Sequence, residues 1–339
     1  MNFINILPGF FIRGLMLIKM HGYRENQLIY AAAALNISDY LKKGGRTLDE
    51  LAELTQTNRD FLFRFIRACV SIGLYSEKSN RYFLNKAGNM LVSGITNTLR
   101  PIAMMRGDET NWKPWGELLY ALKTGKNSFT KVFGTDLFDY FSKNPDSGKN
   151  FNKSMSAFTS WETPAILRKY NFSAFRNIID IGGGNGGFLM KIIEKNSYAN
   201  GMVYDIKEVK KEAEDNLSTS GMNGRISFIS GNMFDSIPEG GDCYIIKRVL
   251  HDWDDENVLK ILKICRKAVK PESKLLIIEY IISKNNHLGI LNDIQMMVTF
   301  PGGRERTIQE FNSLVSKAGF KIGKTIGVKA VTIMECSPV

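Results

Sequence analysis

The pattern of apolar and polar positions divides the chain near residue 170. Before that point apolar side chains recur every three or four positions, the period of an amphipathic helix, and residues 145–170 are expected to form one or two of these helices. After residue 177 short apolar runs alternate with helical patterns, which is typical of a doubly wound parallel sheet. The sequence therefore predicts a mainly helical first half and an α/β second half.

The first half contains the order helix, helix, hairpin. Thr47 and Glu50 have the spacing of a capping box at the start of one helix. Residues 58–75 continue with helical spacing, and a hairpin with Ser79 and Asn80 in its turn is expected to follow. This order of elements predicts a winged helix.

The second half is predicted to alternate strands and helices and to close on a β-rich pair. Thr307 and Glu310 form a second capping box before a late helix. The predicted strands are 177–181, 201–205, 225–230, 242–247 and 274–281, with helices at 186–195, 207–217 and 255–269 and a closing hairpin from 320–327 and 329–336.

Composition narrows the class of protein. A chain of 339 residues with 44% hydrophobic and 23% charged residues can form two domains with separate cores. No apolar run reaches the roughly 20 residues of a membrane span, so no membrane partner is expected. The four cysteines lack ligand spacing, which predicts reduced thiols and a cytoplasmic protein. The formal charge of +11 is spread thinly and predicts a basic surface, not a nucleic-acid site.

The opening stretch FINILPGFFIRGLMLIKM is the most apolar part of the chain. Arg13 and Lys19 interrupt it, and it lacks the charged start and cleavage site of a signal peptide. We expect this stretch to be buried against a second copy of the chain in a homodimer formed mainly by residues 1–100.

A glycine turn follows the first predicted strand. Gly182, Gly184 and Gly187 have G-x-G-x-x-G spacing, which lets a ligand approach the backbone just before a helix N-terminus. Asp205, at the end of the second predicted strand, is placed to accept hydrogen bonds from ribose hydroxyls. NAD and S-adenosylmethionine both contain ribose, so these residues alone leave a dinucleotide-dependent oxidoreductase open.

Four sequence blocks separate the two possibilities. In order and spacing they resemble the caffeic acid and hydroxyindole O-methyltransferase family and its bacterial relatives that act on natural products. The resemblance covers nearly the whole chain. The blocks are DIGGGNGG at 180–187, SGNMF at 230–234, IIKRVLHDW at 245–253 and FPGGRERTIQEF at 300–311.

The resemblance implies a fold and a division into domains. The fold would be a Rossmann-like methyltransferase domain with a seven-stranded, mostly parallel sheet and a C-terminal antiparallel hairpin. A mainly helical, winged-helix-like dimerisation domain would precede it. The expected segments are 1–100 for dimerisation, 101–170 as a helical linker that contributes to the acceptor pocket, and 171–339 for binding S-adenosylmethionine.

The resemblance also implies a site for S-adenosylmethionine. Two departures concern it: Asn232 stands where the family usually has aspartate, and DIKEVKKEAE replaces a common Asp-Leu-Pro. An asparagine can still accept a hydrogen bond from the adenine amino group. The residues at the matching positions are Gly182, Gly183, Gly184, Asp205, Asn232, Met233 and Lys247.

Methyl transfer to a phenol requires a base, because a phenol with a pKa near 10 is mostly protonated at neutral pH. Of the three histidines, only His251 follows a predicted strand at the edge where α/β sheets bind ligands. By position alone, a histidine at such a place is more often an ordinary loop or packing residue than a catalytic one. The resemblance implies that His251 is the general base and that Glu279 and Glu305 orient it. No metal is expected.

Two segments are candidates for an apolar acceptor pocket. A stripe of methionine and aromatic residues usually indicates core packing, whereas the resemblance implies contact with a flat ring. We therefore expect a small aromatic or polycyclic acceptor. The candidate residues are Met155, Phe158 and Trp161 in the first segment, and Met296, Met297 and Phe300 in the second.

Other functions remain open at this point. The same fold could methylate nitrogen or carbon, or catalyse a different reaction. The winged-helix pattern also permits a ligand-sensing DNA-binding regulator. Against this, phenylalanines occupy much of the predicted helix in residues 58–70, and a recognition helix needs polar side chains for the base edges.

Overall fold

The computed structural model describes residues 9–222, 224–284 and 286–339. The chain forms two compact units, one of residues up to 112 together with 149–157, and one of residues 113–148 together with 158–339. The predicted segment 101–170 is thus shared between both units, and its predicted boundaries stay a prediction. Among the described residues, no helix has both the length and the apolar character that crossing a membrane requires.

The first unit is helical with one small hairpin. Its elements are α1 (Gly9–Met20), α2 (Gly22–Ala34), α3 (Ile37–Lys42), α4 (Leu48–Thr55), α5 (Arg59–Ser71), β1 (Tyr75–Lys78), β2 (Arg81–Leu84), α6 (Lys86–Asn89), α7 (Arg100–Gly107) and the start of α8 (Glu109–Gly116). Buried residues from α2 to α5, such as Leu51, Leu62 and Ile66, form its core. Residues 3–8 of the apolar opening stretch lie outside the described residues.

Local sequence explains two features of this unit. The Thr47 side chain accepts a hydrogen bond from the Glu50 amide, and the Glu50 carboxylate accepts one from the Thr47 amide, so the predicted capping box is confirmed. Ser79 and Asn80 have φ angles of 50° and 58°. Two consecutive left-handed residues form the turn that best fits the twist of a two-residue hairpin, as the sequence predicts.

Helices open the second unit. They are α9 (Leu118–Thr124), α10 (Ser128–Phe133), α11 (Leu137–Lys143) and the long α12 (Pro145–Lys169), whose residues 149–157 fall in the first unit. The segment predicted as one or two helices is therefore a single helix, and it continues through Pro164.

A seven-stranded sheet forms the centre of the second unit, as predicted. Its strand order is β5-β4-β3-β6-β7-β9-β8, parallel from β5 to β7 and antiparallel at β9 and β8. The strands are β3 (Asn177–Ile181), β4 (Asn200–Asp205), β5 (Ile226–Ser230), β6 (Cys243–Lys247), β7 (Lys274–Tyr280), β8 (Phe320–Val328) and β9 (Val331–Pro338). The order reverses between β3 and β6, and ligands bind beside the carboxyl ends of strands at such a point.

Alternating strand residues supply two cores, one for each face of the sheet. The helices that follow α12 are α13 (Gly187–Lys195), α14 (Lys210–Thr219), α15 (Asp255–Ala268), α16 (His287–Thr299) and α17 (Ile308–Lys317), with 3-10 turns at Lys207–Val209 and Leu250–Asp252. Ile179, Tyr244 and Ile277 pack on one face of the sheet with residues of α15 and α17. Ile178 and Ile245 pack on the other face with α13 and α14.

Arg306 ties the loop after β6 to the loop before α17. Its side chain is fully buried, and it donates hydrogen bonds to the carbonyls of Leu250 and Trp253 and to the carboxylate of Asp255. Its backbone carbonyl accepts a hydrogen bond from Ile282 after β7. Arg306 thus joins three segments at the carboxyl edge of the sheet, with its guanidinium on the loop after β6 and its backbone carbonyl on the segment after β7.

We expect Arg306→Met to lower the free energy of unfolding by about 3 kcal/mol, because the carbonyls of Leu250 and Trp253 lose the guanidinium as a donor. The neighbouring Arg304 forms an exposed ion pair with Glu310, so Arg304→Met should cost less than about 1 kcal/mol. Urea unfolding followed by circular dichroism measures both. Equal losses for the two variants would contradict this role of Arg306.

Candidate active site

The glycine turn between β3 and α13 leaves its backbone open on one side. Gly184 has a φ of +56°, and nothing lies within 4 Å of the place where a side chain would begin. At Gly182, with a φ of +69°, a Cβ would lie 2.5 Å from a methyl group of Val249, and at Gly183 it would lie 2.8 Å from the Asp180 carboxyl. The turn therefore requires glycine, and it has room for a ligand beside Gly184.

Asp205 at the end of β4 closes this turn. One carboxylate oxygen accepts a hydrogen bond from the Gly184 amide, and the other accepts one from the Ile206 amide, each at 2.7 Å. Burial raises the pKa of Asp205, and these two amide hydrogen bonds act against that rise. Each oxygen keeps a second lone pair, which could accept a ribose hydroxyl.

Asp180 lies buried beneath the same turn. Burial raises its pKa to about 7, an effect that Lys247 opposes and Asp205 reinforces. A half-titrated carboxyl next to a ligand turn is a common sign of a functional site. Asp180 was not among the site residues predicted from the sequence, although it comes shortly before the glycines of the turn.

Asn232 and Met233 follow β5. The Asn232 carbonyl oxygen accepts a hydrogen bond from the Phe234 amide, and its amide nitrogen donates to Asp235, both at 3.0 Å. Asn232 therefore holds a local turn, with one carbonyl lone pair left for a ligand. Met233 is half-buried and packs against the core on the α15 side.

Lys247, the last residue of β6, belongs to a buried ion network. Its ammonium lies 2.8 Å from a carboxylate oxygen of Glu162 in α12, and Arg248 lies 3.3 Å from the other oxygen. Arg248 has a φ of +56° and also donates to the Tyr280 hydroxyl at 2.7 Å. Sequence reasoning missed Glu162, Arg248 and Tyr280. The consecutive lysine and arginine at the end of an apolar strand were a sequence feature that could have indicated this buried ion network.

The structure brings His251, Glu279 and Glu305 together. All three are buried, with 5%, 0% and 1% of their surface exposed. The imidazole Nδ1 lies 2.8 Å from Glu305 Oε1, a hydrogen bond, and 3.7 Å from Glu279 Oε2. The Nε2 atom lies 3.5 Å from the carboxylate of Asp252. The grouping expected from the sequence is therefore present.

The two glutamates are held differently. Glu279 Oε1 accepts hydrogen bonds from the consecutive amides of Val249 and Leu250, each at 2.9 Å, so Glu279 anchors the turn that carries the imidazole. Glu305 contacts the imidazole directly. Among the described residues, the Oε2 atoms of both glutamates have no hydrogen-bond partner.

Loop glycines bring Glu305 to this position. A Cβ at Gly303 would lie 2.7 Å from Phe300 and 3.3 Å from the His251 carbonyl oxygen. At Gly302, with a φ of +77°, a Cβ would lie 2.8 Å from Asp254. The Pro-Gly-Gly sequence thus lets residues 300–306 pack directly on the turn that contains His251.

The carboxylates change the chemistry of the imidazole. Burial lowers the pKa of His251. The opposite effect of Glu305, Glu279 and Asp252 together is larger, and it raises this pKa to about 9. Burial also raises the pKa of Asp252 to about 7 and that of Glu279, and the imidazole partly offsets both rises. His251 is therefore a stronger base than an ordinary histidine, and its protonated form dominates at neutral pH.

The acceptor candidates occupy different surroundings. The Arg248 guanidinium lies 5.5 Å from the ring centre of Phe158. Trp161 is 40% exposed, with Lys329 4.1 Å from its ring centre. On α16 and just after it, Met296 and Phe300 are buried and Met297 is half-buried. Met155 lies in the first unit, and its contact with an acceptor stays a prediction.

The side chains of the central cluster lie close enough together to be tested for metal binding. Ligand atoms of His251, Glu279 and Glu305 all lie within 4.8 Å of one another. The expectation of a metal-free site is thus open to a chelation test.

Two sequence families match this chain in succession. An O-methyltransferase dimerisation domain matches residues 18–94, and an O-methyltransferase domain matches residues 115–321, which is more than half of the chain. The chain belongs to the O-methyltransferase family. The resemblance inferred from the four sequence blocks is therefore confirmed.

Relatives of known structure and activity agree in fold. The phenazine O-methyltransferase PhzM of Lysobacter antibioticus is 32% identical over 332 residues, which cover 97% of each chain. The crystal structure of LaPhzM has a TM-score of 0.93 at 32% identity and covers 98% of this chain and 100% of that one. NcsB1 of neocarzinostatin biosynthesis, solved with S-adenosylmethionine and 2-hydroxy-5-methyl naphthoic acid, has a TM-score of 0.81 at 27% identity and covers 93% and 96%.

We expect the imidazole of His251 to titrate near pH 9. Glu305→Gln should lower this pKa, because the imidazolium loses its nearest negative charge. Since the folded pKa lies above the ordinary value of about 6.5, the protonated imidazole stabilises the fold fully below that pH, and this contribution disappears as the pH rises through about 9.

Nuclear magnetic resonance of labelled histidine tests this expectation. The chain has three histidines, and the signal lost in His251→Gln assigns the residue. A titration near pH 6.5 that does not respond to Glu305→Gln would contradict the expected electrostatic coupling.

Proposed function

We propose that this O-methyltransferase transfers a methyl group from S-adenosylmethionine to a hydroxyl of an aromatic or polycyclic small molecule of natural-product metabolism, with His251 as general base. The observation that carries the proposal is the buried hydrogen bond between His251 and Glu305 at the carboxyl edge of the sheet. A carboxylate on Nδ1 fixes that nitrogen as a donor and leaves Nε2 to accept a proton.

The residues of the glycine turn fit S-adenosylmethionine. The free space beside Gly184 suits close approach of a ligand to the backbone. Asp205 would hold the ribose. Asn232 and Met233 would flank the adenine. The remaining residues of the site would be Gly182, Gly183 and Lys247. When bound, S-adenosylmethionine supplies a methyl group activated by positively charged sulfur.

The raised pKa of His251 suits a phenolic acceptor. A hydroxyl with a pKa near 10 passes its proton more readily to an imidazole of raised pKa than to an ordinary histidine, because the difference between the two pKa values is smaller. The disadvantage is that the same rise in pKa leaves only a minority of enzyme molecules with a neutral imidazole at neutral pH. Activity should therefore increase with pH up to about 9.

The relatives support an aromatic acceptor. PhzM is named for phenazine, and NcsB1 was solved with a naphthoic acid, both of which are fused rings. In this chain Phe158, Trp161, Met296, Met297 and Phe300 would provide apolar contacts for such a ring.

We also propose that the enzyme is a homodimer formed mainly by residues 1–100. The family match to a dimerisation domain supports this assembly. Apolar residues of α1 are exposed in the single chain, such as Leu17 at 58% and Ile18 at 63%, and a second copy of the chain would bury them. Light scattering at micromolar concentration should give twice the chain mass, and a monomer would refute the assembly. The cytoplasmic location stays a prediction.

Asp205→Ala should weaken the binding of S-adenosylhomocysteine by about 1.5–3 kcal/mol, the range for hydrogen bonds to a charged group. Titration calorimetry measures the change. Asp215→Ala on the exposed side of α14 is the matched control and should leave affinity unchanged. Binding of NAD in place of S-adenosylhomocysteine would overturn the cofactor assignment.

His251→Ala should reduce kcat by roughly 10²–10⁴-fold, the usual contribution of a positioned base. Binding of S-adenosylhomocysteine should change little. The remaining activity should rise with pH as the acceptor ionises in solution. Transfer of a labelled methyl group to a panel of phenols measures the rate. Near-normal turnover of His251→Ala at neutral pH would remove His251 from this role.

Three comparisons complete that experiment. His287→Ala, at the start of α16, should retain full activity. Because no metal is expected in the reaction, incubation with EDTA should leave the rate unchanged. Aromatic amines in the same panel separate the O-methyl assignment from N-methylation: methylation of amines alone would contradict it.

A further inference from the structure

Asn292 contacts the same oxygen atom that binds the catalytic imidazole. Its side-chain amide nitrogen lies 2.6 Å from Glu305 Oε1, and His251 Nδ1 lies 2.8 Å from that atom. Asn292 is buried on the second turn of α16. The next residue, Asp293, accepts a hydrogen bond from the Glu305 backbone amide at 2.8 Å. Two consecutive helix residues therefore fix the side chain and the backbone of Glu305.

This contact determines the orientation of the Asn292 amide. A carboxylate oxygen only accepts hydrogen bonds, so the NH₂ group and not the carbonyl must face Glu305. The opposite orientation would bring two oxygens together in a buried site, at a large electrostatic cost. An asparagine inside a helix also has a lower helix propensity than leucine. Burial, orientation and propensity all indicate a specific requirement for the donor at this position.

We propose that Asn292 is a positioning residue of the methyl-transfer reaction, which holds the Glu305 carboxylate against His251 and moderates its negative charge. The kinetic part of this inference rests on the proposed function, and the electrostatic part does not.

The electrostatic effect has a definite sign. A hydrogen bond to Glu305 stabilises its negative charge most when the neighbouring imidazole is neutral, because the carboxylate then has fewer favourable partners. Removing the amide should therefore favour the protonated imidazole and raise the pKa of His251.

The other charged groups around His251 would remain. Glu279 faces it from β7 and Asp252 from its own turn. Arg248 acts on Glu279 and Glu305, and Asp293 lies near Glu305 on α16. Because these groups are unchanged, we expect a moderate rise in pKa and not a collapse of the site.

Asn292→Leu tests this effect directly, since leucine has nearly the same size and no donor. Histidine resonances should show His251 titrating roughly half a pH unit or more above the wild type. Glu305→Gln should move the titration in the opposite direction. The double variant Asn292→Leu/Glu305→Gln should titrate like Glu305→Gln alone, because the amide acts through Glu305.

The matched control is Asn312→Leu, which removes an exposed amide from α17 and should leave the titration unchanged. Asn292→Ala replaces Asn292→Leu if the leucine variant does not fold, and it should shift the titration in the same direction. An unchanged His251 titration in Asn292→Leu, or an equal rise in the Glu305→Gln background, would overturn the proposal.

The kinetic arm separates this proposal from the proposed function. Asn292→Leu should lower kcat about tenfold, the rate equivalent of one hydrogen bond to a charged group, and should leave the KM for the acceptor nearly unchanged. This loss should vanish in the Glu305→Gln background. If His251→Ala abolishes turnover while Asn292→Leu alters neither the titration nor kcat, the proposed function stands and the role of Asn292 is refuted. If the wild type transfers no methyl group, the titration alone decides.

Discussion

The hydrogen bond between Glu305 and His251 is the contact on which the rest of the site depends. It joins two loops, one after β6 and one before α17, that are far apart in the sequence. The packing around it serves to keep these loops together. Gly302 and Gly303 allow close backbone contact, and Arg306 binds the carbonyls on both sides of the imidazole. The sheet fixes where its strands end, and these loop contacts fix the positions of His251 and Glu305 beside those strand ends.

Burial gives this contact its chemical effect. Three carboxylates lie close to one imidazole in a buried region, where charges interact strongly. Their combined field outweighs the cost of burying the imidazolium, so the pKa of His251 rises. A base of this strength matches a phenol more closely than an ordinary histidine does. The same field keeps most of the imidazole protonated at neutral pH, so strength and availability of the base oppose each other.

Much of the fold could be predicted because its signals are local. The capping boxes at Thr47 and Thr307, the hairpin turn at Ser79 and Asn80, and the strand patterns of the sheet all depend on residues close in sequence. The grouping of His251 with two glutamates was available only through the resemblance to the family. Nothing in the spacing alone places Glu305 beside His251.

The parts that escaped prediction depend on contacts between distant segments. Glu162 reaches Lys247 and Arg248 from a helix in another part of the chain. Asn292 faces Glu305 only because the loop that follows α16 folds back against that helix. The sequence analysis also assigned both glutamates one role, whereas backbone amides hold Glu279 and the imidazole binds Glu305. Such distinctions require coordinates.

The central claim is that His251 Nε2 accepts the proton of the acceptor hydroxyl. A crystal structure with S-adenosylhomocysteine and a phenol that the enzyme methylates tests it most directly. The account predicts the phenol oxygen within about 3 Å of His251 Nε2, with the Glu305 contact to Nδ1 retained. A phenol oxygen hydrogen-bonded to another side chain, with Nε2 paired to Asp252 instead, would contradict it.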